Sequence, residues 1–134
     1  MKKVLLVSMM FMLCAFNLYG ATKKFTTRVT LTTYNAVVNQ CDKNPLITAD
    51  GTKINKDKLR KGKIKYAAVS RDLLWAIPLG SIIHIEGHGY YEVRDTMNKR
   101  FNHRIDILQH EKQKNFKKEK IRITLIKLPK KKKC

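Results

Sequence analysis

The chain has 134 residues, with 29 Lys+Arg against 10 Asp+Glu for a formal charge of +19, and 43% of it is hydrophobic. That length holds one domain and hardly two, and the composition excludes a collagen, a disordered chain and a large α/β barrel. So large a positive balance implies a polyanionic surface nearby, without saying which polyanion.

The N-terminus sets the compartment. Lys2 and Lys3 precede the uncharged run VLLVSMMFMLCAF, and small residues follow at Gly20 and Ala21. This is the layout of a secretory signal peptide over residues 1–21, cut after Gly20 or Ala21. The alternative, an uncleaved anchor, needs roughly 20 apolar residues, and the run is shorter. Cys14 lies inside the apolar run after the large Leu13, so it reads as signal sequence and not as a lipid-bearing cysteine. Cleavage leaves 27 basic and 10 acidic side chains, a balance of +17. An exported chain ends in the periplasm or the cell envelope, where a Cys41–Cys134 disulfide is permitted; two cysteines alone fix no framework, and free thiols or an intermolecular pair stay open. His84, His88, His103 and His110 show no paired-ligand spacing, so neither a metal nor a cofactor is expected.

The mature part, residues 22–128, reads as short strands between turns. Residues 28–34 (RVTLTTY) alternate, with Val29, Leu31 and Thr33 on one face. Residues 35–63 are long and polar, with turn signals at Asn44-Pro45 and Asp50-Gly51. Residues 63–70 (KIKYAAVS) alternate again and put Ile64, Tyr66 and Ala68 together. Residues 71–76 form one helical turn, and Pro78-Leu79-Gly80 a bend. A strand at 81–86 (SIIHIE) is joined by Gly87-His88-Gly89 to another at 90–95 (YYEVRD). A polar loop over 96–103 leads to a short strand at 104–108 (RIDIL). Residues 109–118 have room for a helical turn or two, and the last strand is 121–128 (IRITLIKL). The lysine-rich tail, residues 129–134, follows. Six short strands without a long amphipathic helix predict an all-β fold, a small closed barrel, since closure removes the edges that strands this short would expose.

Acidic residues are scarce enough to be informative. Strand alternation places Asp95 in line with Tyr91 and Val93, which are expected to point inward. Asp106 sits between Ile105 and Ile107, sharing a face with Arg104 and Leu108. A carboxylate in a strand is unfavourable by propensity and needs compensation. Pairing with Arg94, Arg100 or Arg104 would supply it; so would a role as an acid on a glycosidic bond, which requires a carboxyl kept protonated near neutral pH. Spacing alone does not choose between them.

Taken in order, Thr32-Thr33-Tyr34, Thr48-Ala49-Asp50-Gly51, Ala68-Val69-Ser70, Ile77-Pro78-Leu79-Gly80-Ser81, Gly87-His88-Gly89, Arg94-Asp95-Thr96 and 104–108 resemble the three-aspartate (3D) domain. This is a double-psi β-barrel family related to membrane-bound lytic transglycosylase A and to rare-lipoprotein-A-like barrels. The match covers residues 29–128. The resemblance implies a six-stranded double-psi barrel with short helical turns in its loops, acting on peptidoglycan glycan strands. Family members cleave the β-1,4 bond between N-acetylmuramic acid and N-acetylglucosamine as lytic transglycosylases, the muramic 6-hydroxyl attacking its own anomeric carbon. On the matching positions Asp106 is the general acid/base and Asp95 its partner, with Thr96 offering a hydroxyl. The first family aspartate falls on Ser70; either Ser70 replaces it or Asp72 supplies the acid after a local shift. The bland reading of Asp72 is a cap on the helical turn. Met97-Asn98-Lys99 also departs from the glycines usual after the Asp-Thr pair. Tyr34, Thr48, Ser70, Trp75, Thr96 and Arg104 complete the expected sugar-binding set. Trp75 is the better candidate for a stacking platform among Tyr34, Tyr90, Tyr91 and Phe101, and Tyr91 reads as core.

From residue 112 to 133 there are eleven basic residues and one acid, Glu119. A solvated face with a loose tail is one reading. Retention on anionic wall polymer or lipid head groups is the other. Nucleic acid is not an expected partner of an exported chain. The alternative to an enzyme is a non-catalytic wall-glycan-binding barrel, similar to expansin or rare-lipoprotein-A-like modules.

Overall fold

The computed structural model describes residues 24–37 and 44–131. The expected signal peptide, all three cysteines with the disulfide considered between Cys41 and Cys134, and residues 132–134 of the tail lie outside the described residues. Six strands close into a barrel: β1 (Thr26–Asn35), β2 (Tyr66–Val69), β3 (Ile82–Ile85), β4 (Gly89–Thr96), β5 (Arg104–Gln109) and β6 (Lys117–Lys127). Their order around the wall is β1-β5-β2-β4-β3-β6. The pairs β1–β5 and β2–β4 are parallel and the others antiparallel. The expectation of a small all-β, six-stranded barrel is met. Among the described residues no helix is long and apolar enough to cross a membrane.

The interior is filled by the alternate residues the sequence pattern marks. Val29, Leu31, Ala67, Val69, Ile83, Ile85, Val93, Ile105, Ile107 and Ile123 are buried in one cluster. β-Branched side chains suit a pleated wall, and each fully buried Ile or Val contributes about 1.5–3 kcal/mol. A second, smaller cluster forms on the outside of the wall. There Leu108 of β5 and Ala36, with Tyr34 and Tyr66 beside them, are covered by Leu46, Ile54, Leu59 and Ile64. The polar segment after β1 is therefore a roof over one part of the outer face. It contains a helix the pattern did not announce, α1 (Lys56–Arg60), whose N-cap Asn55 accepts from the Lys58 N–H. Asn at the cap and Asp57 in the first turn are the signals for it.

Other boundaries shift. Residues 71–76 hold a 3-10 turn, Arg71–Leu73, as expected of a short helical element. β5 continues to Gln109, and the residues between it and β6 form turns with no helix. β6 starts four residues early, at Lys117, because backbone pairing with β1 does not require apolar side chains. Glu119 and Lys120 together face Thr30 in a bulge, with Lys120 at φ 57°.

A second bulge matters more for function. Ala67 pairs with Val93, but Ala68 pairs with Asp95, so Arg94 is an extra residue in β4. Strict alternation would send Asp95 inward with Val93. The extra residue reverses it, and Asp95 shares the outer face with Ala68.

Candidate functional site

Four neighbouring strands contribute one row to the outer face. Thr32 on β1 pairs with Asp106 on β5, Asp106 with Ala68 on β2, and Ala68 with Asp95 on β4. Asp106 points outward because its neighbours Ile105 and Ile107 fill the interior. Two strand spacings separate the backbones of Asp106 and Asp95, roughly 9–10 Å. In the row between them stands the small, buried side chain of Ala68, and the Tyr34 side chain reaches across from β1 to bring its hydroxyl to Asp95. The two carboxyl groups thus lie on one outer face at the edge of the roof.

Asp106 is mostly buried, and its carboxyl is pushed up from 3.8 to about 6. Burial is the main cause, because a partly dry site disfavours the charged form; the charge of Asp95 adds to it. The Thr32 hydroxyl, which donates to Asp106 Oδ1 at 2.9 Å, and the Arg104 charge pull the other way without prevailing. No cation lies within ion-pair distance of Asp106 among the described residues; the pairing with Arg104 that would have disabled an acid is not made.

Asp95 is held more firmly. Its Oδ1 accepts from the Ala49 N–H at 3.0 Å and its own neighbour's Thr96 N–H at 2.9 Å, and the Tyr34 hydroxyl lies 3.4 Å from Oδ2. Burial still raises its carboxyl above the ordinary value, those three donors opposing and the charge of Asp50 assisting. The Ala49 donor is aimed by a tight turn. Thr48, buried, donates to Asp50 Oδ1 at 2.6 Å and accepts from the Thr52 N–H, while Gly51 at φ 82° closes the turn. Gly51 has the left-handed backbone that glycine tolerates best. Asp50 is in turn paired with Arg94, the bulge residue, at 3.2 Å. Asp50, Glu92 and Arg94 line an open pocket of about 620 Å³ together with Gly80 and Lys127–Lys130 residues of the chain's end.

The other expected site residues divide. Tyr34 and Thr48 act through Asp95, and Thr96 supplies a backbone donor there. Ser70 is fully buried; its Oγ accepts from the Arg104 N–H at 3.0 Å, so it pins the start of β5 and has no place on the open face. Asp72 is not the cap of the 3-10 turn, whose N-cap is Ser70; it reaches His103, accepting from that N–H at 3.0 Å. His103 has φ 52°, and this bond fixes that costly conformation. Burial acts to raise the Asp72 carboxyl, but the hydrogen bonds from Ser70 and His103 outweigh it and hold it below the ordinary value. Such a group is a structural clasp, not an acid for neutral pH.

Trp75 is 79% exposed and meets Phe25 edge-on at 5.5 Å. Phe25 precedes β1, about 20 Å along the strand from Thr32, so Trp75 stands apart from the carboxylates. Tyr90 packs on His84 at the start of β4. Tyr91 is packed against the interior cluster, as expected of it. Phe101 joins Tyr34 in the site's neighbourhood, lying under Arg104 at 4.5 Å. Thr32 and Ala49 were not singled out as site residues. Alternation in Thr32-Thr33-Tyr34 puts Thr32 beside Tyr34 and was the available signal; a backbone N–H such as that of Ala49 leaves none.

No group of three or more potential metal ligands occurs among the described residues. The chain matches no family model and no curated protein. Fold and site together define a closed six-stranded barrel carrying a paired-carboxylate row on its outer wall.

Proposed function

We propose that this chain is an exported peptidoglycan-cleaving enzyme of the lytic transglycosylase type. The observation that carries the reading is Asp106, raised to about 6 on the outer face of the barrel in the same row as a second raised carboxyl, Asp95. An acid of that value is about one-tenth protonated at pH 7, enough to serve as general acid and then as base. Asp106 would protonate the glycosidic oxygen of a MurNAc–GlcNAc bond as it breaks. The resulting carboxylate would accept the proton of the muramic 6-hydroxyl as that oxygen closes on the anomeric carbon. One carboxyl suffices because no water is activated, and Asp95 would stabilise developing positive charge and accept from sugar hydroxyls. The ordered motifs resembling the 3D domain and the signal-peptide layout support peptidoglycan as the substrate and the periplasm or envelope as the place.

A second reading is a non-catalytic glycan-binding barrel. It draws on Ser70, which stands where the family carries its first aspartate and is sealed into the wall. Incubation of the purified protein with sacculi separates the two. Anhydro-muropeptides that vanish with Asp106→Asn support the enzyme; binding with no new product supports the module, and reducing-end products indicate hydrolysis.

A further inference from the structure

The topology gathers the loops into two sets, one at each end of the barrel. β1, β3 and β5 begin, and β2, β4 and β6 finish, at the same end, as the pairs Thr30–Arg104, Thr26–Thr124, Val69–Thr96, Val69–Ile105 and Ile82–Lys127 require. Residues 70–81 cross this end as a plug, with Leu73, Ala76 and Ile77 buried in the interior cluster. The strands at both ends of the chain also leave the barrel here. Phe25, before β1, touches Trp75 of the plug, and Pro129, after β6, sits against Gly80 at its bend.

Trp75 is the only tryptophan of the chain, and it is exposed although Leu73, Ala76 and Ile77 beside it are buried. One exposed aromatic residue is ordinary; its surroundings are not. The segments that form this end, residues 24–25, 70–81, 97–103 and 128–131, carry Lys24, Arg71, Lys99, Arg100, Lys130 and Lys131, all exposed, against a single acid, Asp72. None of these six cations is in an ion pair among the described residues, and Asp72 is engaged by His103. Leu128, next to Pro129, is exposed as well. Cations alone suit any polyanion in water. A large amphipathic ring set among them gains little from such a polymer, but at a bilayer it settles in the headgroup layer while the cations meet the phosphates. The chain leads the same way. Its apolar run, residues 4–16, is joined through residues 17–24 to Phe25, so a bilayer holding that run meets the barrel at this end.

We propose that the end of the barrel closed by residues 70–81 docks on an anionic phospholipid bilayer, with Trp75 seated in the headgroup layer and the cations around it on the lipid phosphates. This surface is separate from the carboxylate row and stands whether or not the chain cuts glycan. Each cation within reach of the phosphates contributes about fivefold in affinity. Seating an indole at the interface contributes at least about tenfold.

The test uses residues 22–134, which hold every element of the barrel and lack the apolar run that would insert by itself. The single tryptophan reports the docking without a label. With vesicles of phosphatidylcholine containing about 30% phosphatidylglycerol, Trp75 emission should shift to shorter wavelength and be quenched by phosphatidylcholine brominated on its acyl chains. Vesicles of phosphatidylcholine alone, and polyphosphate in solution, should leave the emission unchanged. In vesicle cosedimentation, Trp75→Ala should weaken binding at least about tenfold, and so should Lys130→Gln combined with Lys131→Gln. Trp75 is exposed, so its removal leaves the core filled. Lys112→Gln with Lys114→Gln, at the opposite end of the barrel, should change binding less than about twofold. Trp75 emission that does not respond to the anionic vesicles overturns the docking face. So does an equal shift with polyphosphate, which would make this end a polymer-binding surface, or an equal loss from the Lys112 and Lys114 pair, which would make the attraction one of overall charge.

Discussion

Replacing Asp106 by Asn tests the site through stability as well as activity. The carboxyl rises from 3.8 in the open chain to about 6 in the barrel. The folded state thus binds its proton more tightly than the unfolded one. Between those values unfolding releases a proton, so stability falls as pH rises through roughly 4 to 6 and then levels off. The full difference corresponds to about 3 kcal/mol of destabilisation at pH 7, an upper figure because the unfolded chain is not fully solvated. Asn keeps the shape and an oxygen to accept from Thr32, and it removes the charge. The variant should be more stable than the natural chain at pH 7, by about 1–3 kcal/mol, and equal to it at pH 3.5. Urea unfolding followed by circular dichroism at both pH values measures this, and the proposed activity entails the loss of anhydro-muropeptide formation in the same variant. A variant no more stable at pH 7, or a natural chain whose stability does not fall between pH 4 and 6, would refute the claim that burial raises this carboxyl.

Asp95→Asn removes a negative charge that helps raise Asp106, so the titration of Asp106 followed by carboxyl NMR should move to lower pH; movement upward contradicts the assigned coupling. Gly80→Ala would place a Cβ 2.9 Å from Pro129 Cβ at a backbone φ of 90°, and should cost about 1–3 kcal/mol in a denaturant titration. An unchanged midpoint there would mean that the chain's end does not pack on this bend. Lys117, Lys118, Lys120 and Arg122 are exposed along β6, with Glu119 the partner of Lys117 alone. Retention on sacculi should therefore weaken markedly at about 0.5 M salt, where screening shortens the reach of surface charge; retention independent of salt would exclude an electrostatic hold.

Much of the barrel was legible because its interior obeys a period of two. Ile105 and Ile107, or Val29 and Leu31, announce their strands and their faces without help from the rest of the chain. The early half of β6 was not legible, since Lys117–Lys120 pair through backbone alone and their side chains face water. The pairing of Asp95 with Asp106 on one face was hidden for a different reason. Alternation assigns Asp95 to the interior, and only the strand-to-strand register shows Arg94 as the extra residue. Asp72 illustrates a third difficulty. Its sequence position suits either a cap or a displaced acid, and the decision falls to His103, thirty-one residues away, whose unusual backbone needs an acceptor.

The bulge at Arg94 lets β4 hold one residue more than the strand beside it. A strand without Arg94 would set Val93 and Asp95 on opposite faces by plain alternation, so the insertion is absorbed where it occurs and the acid keeps its side of the wall. What the additional residue brings is a cation, joined to both Asp50 and Glu92, inserted without disturbing the hydrophobic order before or after it.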